Sequence, residues 1–111
     1  MTFGEAIERM KAGAFVARLG WNGKHQFIYM ETGLAIEIGS LRGKAQKAFI
    51  YRARTEGAIP AANMEIIINP HIDMMTEDNR IVCGWLASQT DMTATDWYVR
   101  EYEQNVPEDL A

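Results

Sequence analysis

Between Trp85 and Trp97 the chain reads WLASQTDMTATDW, two indoles bracketing a run in which only Leu86, Ala87, Met92 and Ala94 are apolar. A strand against a core alternates with period 2 and a core helix repeats near 3.6, and this stretch follows neither rule. It is therefore a polar excursion pinned at both ends by a large aromatic anchor, and the rest of the chain must supply the core. One local structure fits inside it, a short helical turn with Ser88 as N-cap and Asp91 near its positive end. Ser88, Gln89, Thr90 and Asp91 also form a hydrogen-bonding wall suited to a polar ligand. The two readings are compatible.

The flanking sequence reads as short elements with clear punctuation. Thr2 and Glu5 fit a capping box, and Phe3, Ala6, Ile7 and Met10 recur at helical spacing, which predicts a helix over 3–12 that stops before Gly13. Residues 14–18 (AFVAR) and 26–31 (QFIYME) read as strands joined across an Asn22-Gly23 turn. Trp21 sits beside that turn, either as a stacking platform for an aromatic base or folded over the sheet edge. The segment 32–69 is the least legible; residues 40–48 (SLRGKAQKA) suggest a short basic helix, and the apolar 64–68 (MEIII) a buried or an interface strand. Residues 71–75 and 80–85 flank Thr76-Glu77-Asp78-Asn79 as a hairpin, and 97–102 (WYVREY) alternates as a last strand. The expected fold class is α+β: an N-terminal helix packed on a small antiparallel β-sheet, with a short helix in the middle and a short helical turn before the last strand. The chain reads as a single domain over 1–111, of which 104–111 is a frayed tail.

Composition narrows the function. A net charge of −4 lacks the positive field that duplex nucleic acid requires. No apolar run reaches membrane-spanning length and no signal segment opens the chain, so neither nucleic acid nor membrane is an expected partner. Cys83 is the only cysteine, which excludes an internal disulfide and fits a reducing, cytoplasmic setting. It reads as a buried strand cysteine in preference to a nucleophile paired with His71. His25 and His71 form no metal-ligand spacing, and no metal or other cofactor is expected. Residues 39–45 (GSLRGKA) do not match a phosphate loop. Asp91 and Asp96 are the one carboxylate pair that would serve acid–base chemistry, but hydrogen-bond acceptance is the simpler role. The residues thus describe a non-catalytic small-ligand binder with an aromatic shelf and a polar wall. A protein-interaction or oligomerisation module without a nucleotide ligand and a cryptic hydrolase are the alternatives.

Three stretches carry a family resemblance: residues 3–6 (FGEA), 16–24 (VARLGWNGK) and 85–97. In them the chain resembles the phage-encoded Thoeris anti-defence proteins of the second type. Gly84 stands where that pattern leads one to expect a proline. The resemblance implies a sponge that sequesters, without cleaving, a cyclic ADP-ribose-type signal (a glycocyclic ADP-ribose isomer) in the infected bacterial host cell. It implies homotetramers with nucleotide pockets at subunit interfaces, and in some members separate sites for cyclic oligonucleotides. By position, Trp21 would stack on adenine with Asn22 and Phe3 beside it. Trp85, Ser88, Gln89, Thr90 and Asp91 would complete the ligand site, with Arg18 as diphosphate partner. Asp96 and Trp97 would brace the loop. Trp21→Ala is expected to weaken capture and leave the fold intact.

Overall fold

A computed structural model of the chain describes residues 1–22, 25–57 and 63–109. In chain order its elements are α1 (Phe3–Lys11), β1 (Ala14–Arg18), β2 (Phe27–Glu31), β3 (Leu34–Glu37), α2 (Lys44–Thr55), β4 (Glu65–Ile68), β5 (His71–Met75), β6 (Ile81–Val82), α3 (Gln89–Thr93) and β7 (Trp97–Tyr102). They fall into two compact units, one of residues Met1–Glu31 with His71–Ala111, the other of Thr32–Pro70.

In the first unit, Thr2 starts α1 through a reciprocal cap. Its hydroxyl accepts from the Glu5 amide at 3.2 Å, and the Glu5 carboxylate accepts from the Thr2 amide at 3.0 Å. Arg9 and Lys11 close the last turn, matching charge to the helix dipole at both ends. The sheet is antiparallel throughout, in the order β6-β5-β2-β1-β7. Its register aligns Val99, Val16, Ile28, Met74 and Val82 directly opposite one another across all five strands. Opposed residues share a face, so one apolar row crosses the sheet. Val16, Ile28 and Met74 of that row join Ala6 and Met10 of α1, with Ala14 and Trp97, as the core. Each fully buried aliphatic side chain contributes about 1.5–3 kcal/mol.

The sixth strand differs in detail from the sequence expectation. β6 is two residues long, so Cys83 lies just past it and is exposed rather than buried in a strand. After β7 the chain is tied to the turn that follows α1: the Glu103 amide donates to the Gly13 carbonyl at 2.8 Å and the Gln104 side-chain amide to the Ala12 carbonyl at 3.1 Å. The Asn22-Gly23 turn lies partly outside the described residues, but β1 and β2 pair antiparallel as a hairpin requires.

The second unit is a two-stranded antiparallel sheet, β3 with β4, together with α2. The helix is longer than the basic segment alone indicates, and β3 was not legible as a strand. Ile38 and Leu41 are the unit's buried apolar residues among those described. Neither α2 nor either strand contributes one.

Candidate functional site

β1 and β7 pair with Arg18 opposite Trp97, so the end of the first strand meets the start of the last. That register brings Arg18 against Asp96: Nε donates to Oδ1 at 2.8 Å, with Nη2 3.5 Å from Oδ2. Nη1 of the same guanidinium donates to Asp91 Oδ1, also at 2.8 Å. Both Arg18 and Asp91 side chains are only 13% exposed. The Trp21 indole N–H donates to the same Asp91 oxygen at 3.0 Å. Trp97, 2% exposed, donates its indole N–H to the Asp91 carbonyl at 3.0 Å.

Asp91 is fixed by the local fold as well. Ser88 caps α3, its hydroxyl accepting from the Asp91 amide at 3.0 Å while Asp91 Oδ2 accepts from the Ser88 amide at 3.3 Å. The short helix therefore presents one carboxylate oxygen to its own cap and the other to Arg18 and Trp21. Asp96 is held from a second side by the Gly20 amide, which donates to Oδ2 at 2.8 Å. A Cβ on Gly20 would fall 2.8 Å from that oxygen and 3.1 Å from Arg18 Nη2, so a side chain there would have to displace the Asp96 carboxylate.

Around this network stand four aromatic rings. Trp21 meets Trp97 edge-on at 5.2 Å and Trp85 at 6.1 Å; Phe3 stacks tilted on Trp97 at 5.0 Å and meets Trp85 edge-on at 6.5 Å. Offset and T-shaped arrangements at these separations are the favourable ones. Trp21 is thus half-buried and packed against two other indoles, not a free-standing platform.

The electrostatics follow the hydrogen bonds. Burial pushes the Asp91 carboxyl up, but bonds from Trp21, Arg18 and Ser88 outweigh it and hold the group below the usual carboxylate range. The Arg18 bond, then the Gly20 amide, lower Asp96 against its own desolvation. Arg18 is raised by Asp96 and then Asp91. All three groups are charged at neutral pH, with a net local charge of −1.

Phe3, Arg18, Trp21, Trp85, Asp91, Asp96 and Trp97 accordingly meet in one corner of the first unit. Ser88, Gln89 and Thr90 are exposed on α3, and Asn22 is exposed next to Trp21. The side chains of Asn22, Gln89 and Thr90 have no hydrogen-bond partner among the described residues. Sequence reasoning missed Gly20 as a structural member of the corner, because its role is visible only once β7 lies alongside β1. Elsewhere in the same unit a cavity of about 350 Å³ is lined by Met10, Phe15, Phe27, Tyr29, Met30 and Met75, with Glu31 and Glu103 at it. Among the described residues, no group of His, Cys, Asp or Glu suits a metal ion, and no helix is long and apolar enough to cross a membrane.

The chain is α+β, and its first unit is built around a pre-assembled aromatic and carboxylate cluster. Residues 1–100 match the model of the Tad2-like family, the Thoeris anti-defense 2-like domain. The chain is 34% identical over 99 residues to Thoeris anti-defense 2 of Bacillus phage SP01, covering 87% of this chain and 91% of that protein. It belongs to the Thoeris anti-defense 2 family, which assigns it an anti-Thoeris function among phage anti-defence proteins.

Proposed function

We propose that this protein inhibits Thoeris as a sponge, sequestering a glycocyclic ADP-ribose signal without cleaving it so that the downstream effector stays idle. The observation that carries the reading is the 3.0 Å bond from Trp21 to Asp91, 70 residues apart in sequence. Through it the aromatic and hydroxyl-rich segments form one surface within a single protomer. The adenine stacks on Trp21, an interaction worth about 1–3 kcal/mol per base. Phe3 and Trp85 border it. Asn22, Ser88, Gln89 and Thr90 supply hydrogen bonds to ribose and phosphate, while Asp91, Asp96 and Trp97 hold the geometry. Arg18 acts from behind the surface, because its guanidinium is committed to two carboxylates. The local charge of −1 then requires further cationic contacts for the diphosphate. A homotetramer with pockets at subunit interfaces provides them.

Sequestration is stoichiometric, so Kd must lie below the signal concentration. A nanomolar value corresponds to about −12 kcal/mol. Pre-organisation makes this accessible, since the corner is already fixed and a cyclic ligand loses little freedom. The non-catalytic reading rests on the carboxylates: both are held ionised, so neither carries a proton for general acid work at neutral pH, and each is a weakened base. The 350 Å³ cavity is the poorer home for a diphosphate, given Glu31 and Glu103.

The test is to incubate the protein with glycocyclic ADP-ribose, remove free ligand, denature by heat and chromatograph the released material. Intact nucleotide at a fixed ratio to protein is the expected result. Altered nucleotide would mean an enzyme, and no retained nucleotide would leave the interaction-module reading.

A further inference from the structure

We propose that the cavity between β1 and β2 binds a small organic cation, a primary ammonium ion carrying an apolar body. The cavity is a fault in the sheet. Among the described residues β1 and β2 are bridged at one pair, Val16 with Ile28, whereas β1 with β7 and β2 with β5 are each bridged at five. Continuing the antiparallel register from that one pair would set Phe15 against Tyr29, Ala14 against Met30 and Gly13 against Glu31. Those six residues instead line the space of about 350 Å³. The cause lies in β1, whose register on β7 shifts between Phe15 and Val16. A bulge of this kind bends the strand that carries it, so β1 stays with β7 and parts from β2.

Three rings form one wall of the opening. Phe15 lies 5.2 Å from Phe27 and 5.9 Å from Tyr29, with 6.2 Å between Phe27 and Tyr29. Phe27 and Tyr29 flank the core residue Ile28 and so point to the sheet face opposite α1. All three rings are half-buried. Met30 and Met75 complete the apolar lining, and thioether side chains adapt to the shape of an occupant.

The charged lining has one sign. Glu31 and Glu103 are the charged residues at the cavity, and neither carboxylate forms an ion pair among the described residues. Glu103 is held in place: its amide donates to the Gly13 carbonyl at 2.8 Å, and a Cβ built on Gly13 would fall 3.1 Å from Glu103 Oε1. Burial, then the Asp73 and Glu31 carboxylates, hold the Tyr29 phenol above its usual range, in keeping with a negative field there. Aromatic faces attract cations through the ring quadrupole, so rings and carboxylates favour the same charge. The Arg100 guanidinium, 5.4 Å from the centre of the Phe27 ring, already uses one ring this way. An ammonium head brings three donors and needs no acceptor of its own, which suits a site whose polar side chains are carboxylates. The volume is that of a small-molecule site. None of the residues named for the Trp21 corner lines this cavity, and the inference does not rest on nucleotide capture.

Phenethylammonium is the probe, titrated into the full chain by calorimetry, with phenethyl alcohol and phenylacetate as its neutral and anionic counterparts. Saturable binding of one phenethylammonium per chain is expected, with neither counterpart saturating. The methyl resonances of Met30 and Met75 should move, while those of Met64 and Met92, which do not line the cavity, stay in place. Glu31→Gln combined with Glu103→Gln changes two exposed side chains. It should keep the circular dichroism spectrum and weaken binding by about tenfold or more, the loss of charge-assisted contacts. Either single variant should weaken it less. No saturable binding to wild type, equal binding of phenethyl alcohol, unchanged affinity in the double variant, or shifts at Met64 and Met92 in place of Met30 and Met75 would overturn the proposal.

Discussion

Asp91 receives Arg18 and Trp21 on one carboxylate oxygen and the Ser88 amide on the other, so neutralising it acts on three partners at once. Asp91→Asn should lower unfolding free energy by about 2 kcal/mol, the range for hydrogen bonds to charged groups, measured by urea denaturation. Nucleotide affinity should fall with it, because Trp21 loses its anchor. The grip on Trp21 also changes which variant tests stacking. Trp21→Ala removes contacts to Trp85 and Trp97 and should cost stability as well as affinity. Trp21→Phe keeps a ring, loses one hydrogen bond at about 1 kcal/mol, and isolates the contribution of the indole in calorimetry. The carboxylates further set an acid limit. Asp91 and Asp96 have folded pKa values below their unfolded ones, near 3.9 for Asp. Their stabilisation is therefore complete above about pH 4 and lost as pH falls through the lowered values. Thermal melts should show a flat stability from pH 7 to about 5 from this source and an acid limb below 4 that is shallower in Asp96→Asn.

Gly84 shows how the element before the corner is aimed. Its φ is +69°, and its amide donates to the buried Asp73 carboxylate at 2.9 Å as β6 gives way to the segment carrying Trp85. A proline there needs φ near −65° and has no amide hydrogen, so the proline that family resemblance leads one to expect is incompatible with this loop. Gly84→Ala should cost about 1 kcal/mol in a denaturant melt, from conformation alone, since nothing lies within 4 Å of the added Cβ. Gly84→Pro should be far worse, losing the Asp73 bond too. Elements whose ends carry their own chemistry were legible in the sequence. The Thr2–Glu5 box and the Ser88 cap marked two helices, and alternation in WYVREY marked the last strand. The candidate corner was legible as a list of residues but not as a network, because the β1–β7 register alone decides that Arg18 faces Asp96. β3 and α2 were obscure for another reason: with no fully buried residue in either, their patterns carry little of the amphipathic contrast that sequence reading relies on.

At the scale of the whole chain the apolar core is unevenly divided. Seven buried residues form one cluster in the first unit, from Ala6 to Trp97, whereas the second has Ile38 and Leu41 among the described residues. Opening free energy tracks burial, so amides of β1, β2, β5 and β7 should exchange with solvent only on global unfolding, and those of α2 and β3 by local opening. A bound ligand then acts on one segment of this profile. Saturating nucleotide at 100 times Kd adds about 2.7 kcal/mol to the state that binds it, which for a domain of this size raises Tm by about 10 °C or more. Protection should rise at residues 18–22 and 88–97. Hydrogen exchange with and without nucleotide reads both the opening profile and the ligand's effect on it. Exchange of α2 and β3 only on global unfolding would show that the second unit is as stable as the first. A nucleotide effect confined to that unit would move the binding site away from the Trp21 corner.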